Sequence, residues 1–96
     1  MKIEVITPEK EIFTGDVDAA QFPGIDGFFQ VLNDHAPIIS ALSPGKIKID
    51  LKDAEQKFEP IAGVLENDPN NNKVIFITIK GGVVEMKNNV ISVLAS

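Results

Sequence analysis

Apolar and polar residues alternate with a period of two along most of this chain, the spacing at which a strand presents one buried and one wet face. The clearest case is Lys46-Ile47-Lys48-Ile49-Asp50-Leu51-Lys52, where Ile47, Ile49 and Leu51 take turns with charged residues. Ile3 and Val5 alternate with Lys2 and Glu4 in the same way. Thr7-Pro8-Glu9-Lys10 reads as a turn into Glu11-Ile12-Phe13, and Gly15-Asp16 as a break before a strand from Val17 to Phe22. Val74 to Ile79 is β-branched and almost continuous, which predicts a central strand covered on both faces. After Gly81-Gly82, the runs Val83–Lys87 and Val90–Leu94 meet at Asn88-Asn89. Asn tolerates positive φ, so this pair predicts a two-residue hairpin.

Two stretches are less regular. Lys57–Leu65 lies between the polar loops Asp53–Gln56 and Glu66–Asn72, and Pro60 within it predicts an edge strand or a bulged one. Pro37–Leu42 is the one helix-like stretch, and it is too short to stand as an amphipathic helix. Eight or nine short strands punctuated by turn signals about every ten residues predict an all-β fold, an antiparallel sandwich or barrel. With no internal repeat and no linker, residues 1–96 read as a single domain.

Composition narrows the possible partners. Fourteen acidic residues outnumber nine basic ones for a net charge of −5, and every basic residue is a lysine. Without arginine there is no bidentate fork for phosphate and no guanine readout. Nucleic acid and anionic lipid are therefore poor partners, and apolar runs of about four residues predict no direct lipid insertion. The opening Met1–Glu11 carries acids and no apolar core, so it does not read as a signal peptide. The absence of cysteine excludes a disulfide framework and a thiol nucleophile.

Candidate chemistry is sparse. His35 is the only histidine, and it follows Asp34. On an extended chain, neighbours point to opposite faces, so Asp34 is badly placed to orient the ring, and no Gly-x-Ser-x-Gly elbow supplies a nucleophile. Asp16, Asp18, Asp26 and Asp34 are scattered at loops, and one histidine without cysteine does not make a zinc site. Asp68–Asn72 lacks the glycine and terminal glutamate of a calcium loop. The glycines of Pro23-Gly24-Ile25-Asp26-Gly27 are followed by no helix, so they read as a turn rather than a phosphate cradle. No cofactor or metal is expected. One segment stands out: in Pro23–Pro37, two phenylalanines adjoin the glycine turn. Phe29 and Val31 share a face, so Phe28 points to the other, toward a second core layer or a partner.

Thr7-Pro8-Glu9, Phe13-x-Gly15, the run PGIDGFFQVLNDHAP and Ala41-Leu42-Ser43-Pro44-Gly45-Lys46-Ile47 together resemble the amino-terminal β-sandwich of ATP synthase epsilon subunits. Gly81–Leu94 is similar to the closing hairpin of that domain. The resemblance spans nearly the whole chain. It implies a sandwich of about ten strands and a non-catalytic subunit of the central stalk. Such a subunit ties the gamma subunit to the polar loops of the membrane c-ring, on the cytoplasmic face of the bacterial plasma membrane. Position by position, it implies Thr7, His35 and Ser40 as gamma-facing residues, and Asp26, Gly27 and Phe28 as c-ring-facing ones. The sequence departs from the pattern at Phe28, where a polar or acidic residue is usual, at Gln30 for Gly, and at Asn33-Asp34 for Pro-Gly. Asn and Asp still suit a turn. Typical members continue into a carboxy-terminal helical hairpin that restrains ATP hydrolysis, and this sequence stops at Ser96, where that hairpin would start. Two other readings remain open on the residues alone: a stand-alone β-sandwich adaptor that binds along an edge strand, and a small hydrolase using His35.

Overall fold

In the computed structural model, which describes residues 1–96, the period-two segments become nine strands with no helix. They are β1 (Lys2–Ile6), β2 (Glu11–Gly24), β3 (Gly27–Leu32), β4 (Ile38–Leu42), β5 (Gly45–Leu51), β6 (Leu65–Asp68), β7 (Asn71–Ile79), β8 (Gly82–Lys87) and β9 (Val90–Ala95). The pairings fall into two layers that share β2. Its first half pairs with β1, which continues through β9 and β8 to β4. Its second half pairs with β3 on one side and with β5 on the other, continuing to β7 and β6. A single pairing, Gly24 with Leu42, joins β4 back to the end of β2.

The inward positions of both layers make one apolar cluster. Ile3 and Val5 of β1, Ile47, Ile49 and Leu51 of β5, and Ile91 and Val93 of β9 are all buried, as their alternation predicts. Phe22 is fully buried and stacks at a tilt on Phe29, with ring centroids 5.5 Å apart. No polar or charged side chain is buried. Such a core holds its shape through close packing, and the ladders fix the spacing of its faces.

Several elements differ from the sequence expectation. Gly15-Asp16 does not break the chain. β2 runs through it as one strand of 14 residues and shifts register between Val17 and Ala19 as it passes from one layer to the other. A bulge supplies the bend that two separate strands would otherwise need. At this crossing the Gln56 amide acts as a substitute ladder residue. Its Oε1 accepts from the Asp16 N–H and its Nε2 donates to the Asp16 carbonyl, both at 2.7 Å. A Cβ at Gly15 would collide with the Gln56 side chain, so the glycine makes room for this pairing. Gln56→Ala is expected to lower stability by about 1 kcal/mol in urea unfolding, the net worth of exposed hydrogen bonds. Unchanged stability would show that the crossing needs no such tie.

The chain from Asp53 to Val64 is irregular, so Lys57–Leu65 is not a strand, and only the bridge between Ile61 and Leu65 survives of it. Pro60 removes a donor, and Phe58 instead turns inward, edge-on to Phe13 at 6.2 Å. The strand instead starts at Leu65, as β6, and runs on into Glu66–Asp68, within the segment expected to be a polar loop. β7 lies between β5 and β6 as a central strand should, but only one face is fully covered. Ile75, Ile77 and Ile79 are buried there, while on the other face Val74 is buried, Phe76 half-buried under the Lys46 ammonium and Thr78 exposed. Pro37–Leu42 yields β4, paired with β8. The antiparallel scheme has one exception, because β1 and β9 run parallel. Asn88 and Asn89 form the expected turn, at φ 53° and 61°.

Candidate partner-binding surfaces

Following the register across the first layer shows what its outer face presents. One row runs Ala41, Val83, Leu94, Ile6, from β4 through β8 and β9 to β1. All four are apolar, and Leu94 and Val83 are 60% and 44% exposed. The neighbouring row begins with Ile39 on β4, 74% exposed, and continues through Glu85, Ser92 and Glu4. An apolar row on the wet face of an edge-ended layer is the arrangement expected of a surface that another protein covers. The sequence alone singles out none of Ile6, Ile39, Val83 or Leu94. The available signal is the alternation itself: in Val83-Val84 and Val93-Leu94 one residue of each pair must face outward.

The expected gamma-facing residues border this face. Thr7 follows Ile6 at one end of the apolar row. Its hydroxyl is engaged within its own turn, donating to the Lys10 carbonyl at 3.1 Å and accepting the Lys10 N–H at 3.3 Å. Ser40 lies on β4 between the outward Ile39 and Ala41, so it faces the core side and is half-buried, not presented with them. His35 lies at the other end of the layer, in the loop before β4, and is exposed. Its neighbour Asp34 does not hold the ring. The pair sits in a turn, with Asp34 at φ 60°, instead of on the extended chain that the sequence suggests. His35 Nδ1 lies 2.7 Å from the Ala36 carbonyl oxygen. A carbonyl can only accept, so in the neutral ring Nδ1 carries the proton and Nε2 is left free to meet a partner.

Asp26, Gly27 and Phe28 form the tip between β2 and β3. Gly24 pairs with Gly27 across the two-residue loop Ile25-Asp26. Phe28 points away from the core, 69% exposed, while Phe29 and Val31 turn inward as expected. Ile25 beside it is 65% exposed, so the tip presents two large apolar side chains flanking one carboxylate, Asp26. This tip abuts β4: a shallow hollow is lined by Gly24–Phe29 together with Ser40 and Ala41. The structure thus brings Ser40 next to the tip and leaves Thr7 and His35 at opposite ends of the first layer. No three His, Cys, Asp or Glu side chains gather as a metal site would require. The arrangement has the character of two contiguous contact surfaces, one a flat apolar face and one a protruding apolar tip.

Comparison with known proteins agrees with this architecture. The family model for the ATP synthase delta/epsilon chain, beta-sandwich domain, matches residues 1–75. The ATP synthase epsilon chain of Chlorobium limicola is 38% identical over 78 residues, covering 80% of this chain and 86% of that relative. The epsilon chain of Leptospira interrogans is 35% identical over 94 residues, covering 98% of this chain but 59% of the longer relative. Among solved structures, a chain in the central stalk and c-ring assembly of the Tetrahymena thermophila mitochondrial ATP synthase superposes with a TM-score of 0.70. That match covers 99% of this chain and 62% of the other at 18% identity, and it speaks for a shared fold. With the matched region running from β1 through the β2–β3 tip into β7, the chain belongs to the ATP synthase delta/epsilon family, through its β-sandwich domain.

Proposed function

We propose that this chain is a rotor subunit of an F-type ATP synthase, fastening gamma to the polar loops of the c-ring so that ion-driven rotation of the ring reaches gamma. The observation that carries this reading is kinship to epsilon chains across nearly the full length of one relative. The two apolar surfaces give it a mechanism. Gamma covers the outer face of the first layer, with Ile39, Val83, Leu94 and Ile6 as the apolar floor and Thr7 and His35 at its two ends, while Ser40, turned toward the core side, is not among these contacts. The tip carrying Asp26, Gly27 and Phe28 meets the ring loops. Interfaces of this kind bury on the order of 1,600 Å² in total. The subunit is non-catalytic: it works as a stiff spacer of 29 × 26 × 23 Å, peripheral to the cytoplasmic face of the bacterial membrane.

At the tip, the exposed Phe28 serves as an aromatic anchor. Aromatic side chains dominate interface energies when a pocket encloses them. Phe28→Ala in the assembled enzyme is expected to weaken attachment of the stalk to the ring about tenfold or more. The readout is retention of the stalk on purified ring under washing. Retention equal to the unaltered enzyme would remove Phe28 from the ring contact.

A further inference from the structure

The loop that presents His35 is tied down from a distant hairpin. Leu32 to His35 forms a turn closed by the His35 N–H on the Leu32 carbonyl at 3.1 Å. Its third residue, Asp34, sits at φ 60°, a left-handed conformation that disfavours a side chain. Such a conformation persists where its surroundings over-determine it. Here the surroundings are one residue, Asn89, in the β8–β9 turn. Asn89 Oδ1 accepts the Asp34 N–H at 2.9 Å, and Asn89 Nδ2 donates to Asn33 Oδ1 at 3.1 Å. The amide uses both ends on the same loop. Apart from the His35 ring on the Ala36 carbonyl, no other side chain binds the loop's backbone, and Asn33, Asp34 and His35 are all exposed.

We infer that Asn89 is a positioning residue for partner binding: it fixes the Asn33–Asp34 turn and so sets where the free Nε2 of His35 is offered to gamma. This rests on the reading of His35 as a gamma contact. The two hydrogen bonds link the edge of one interface element to the hairpin beside it, so loop and β8–β9 dock as one body. Without Asn89, the exposed turn would sample other conformations, and gamma would have to order it on binding, which lowers affinity without removing a contact.

Asn89→Gly isolates this effect. Asn-Gly is the favoured pair for a two-residue hairpin with positive φ at both positions, so the β8–β9 turn is preserved while both ties to the loop are lost. In the full 96-residue chain, the Asp34 amide is expected to exchange its hydrogen about fivefold faster or more, while the melting temperature changes little, because glycine at this positive-φ turn position offsets the two lost hydrogen bonds. Affinity for gamma, measured by titration, is expected to fall about fivefold. In a His35→Ala background, Asn89→Gly is expected to add no further loss, because it acts through the ring. Three results would overturn the inference. If Asp34 exchange is unchanged, the tie does not hold the loop. If the two substitutions add in full, Asn89 acts on gamma by itself or through general stability. If His35→Ala alone leaves gamma binding intact, the assignment of His35 fails, and the role of Asn89 falls with it.

Discussion

Leu94→Asp and Ile39→Asp are each expected to reduce gamma binding about thirtyfold or more while leaving the sandwich folded. Both side chains stand on the outer face of the first layer and point away from the core. Replacing an exposed residue far from a cap, bulge or buried network changes stability by about half a kcal/mol. If gamma covers the face, the same carboxylate is stripped of water with no cation opposite it, and affinity falls by roughly 2 kcal/mol or more. Leu94 sits between Val83 and Ile6 in the register, so its cross-strand neighbours offer no cation to neutralise a carboxylate there. Aspartate is also a poor strand former, and Leu94→Thr serves as the control, since threonine suits a strand and stays uncharged. Calorimetric titration with gamma gives the affinity, and circular dichroism melting the fold. Full affinity for both aspartate variants would place gamma elsewhere on the molecule.

The largest effect on stability is expected at Gly82. It opens β8 at φ 147° and pairs with Ala95. A Cβ there would overlap the Leu94 carbonyl oxygen and press on the Ala95 Cα at 3.0 Å. Backbone cannot move aside as a flexible side chain can, so relief means pulling β9 away from β8. Gly82→Ala is therefore expected to destabilise the chain by about 3 kcal/mol, combining the strained φ with loss of local pairing. Because Leu94 is the next residue on β9, the variant should also disturb the apolar row and weaken gamma binding in proportion to unfolding. A shift in the urea midpoint corresponding to less than about 1 kcal/mol would show that β9 yields more easily than close packing implies.

What could be read from the sequence follows from where the physics is local. Ile47, Ile49 and Leu51 alternate with lysine and aspartate, so strand, face and burial all follow from spacing alone. Asn88-Asn89 announces its hairpin because few other pairs tolerate two positive φ angles. The misses are non-local. Nothing near Gly15 says that Gln56, distant in sequence, will complete its ladder and let β2 run on. The parallel pairing of β1 with β9 joins the two ends of the chain, and a local pattern carries no record of it. Lys57–Leu65 has strand-forming residues, yet Pro60 and the inward turn of Phe58 leave it no ladder before Leu65 beyond the bridge at Ile61. At the candidate surfaces, the outward Phe28 was legible from its neighbours' alternation. The row Ala41, Val83, Leu94 and Ile6 was not, since it exists only once four strands are in register.

A rotor subunit of this kind must bind gamma. The most direct measurement is co-expression with gamma from the same organism, followed by size-exclusion chromatography and mass determination of the eluting species. A stable one-to-one complex is the predicted result, with Leu94→Asp and Ile39→Asp eluting apart from gamma. A well-folded gamma that elutes alone beside the unaltered chain would contradict the rotor assignment.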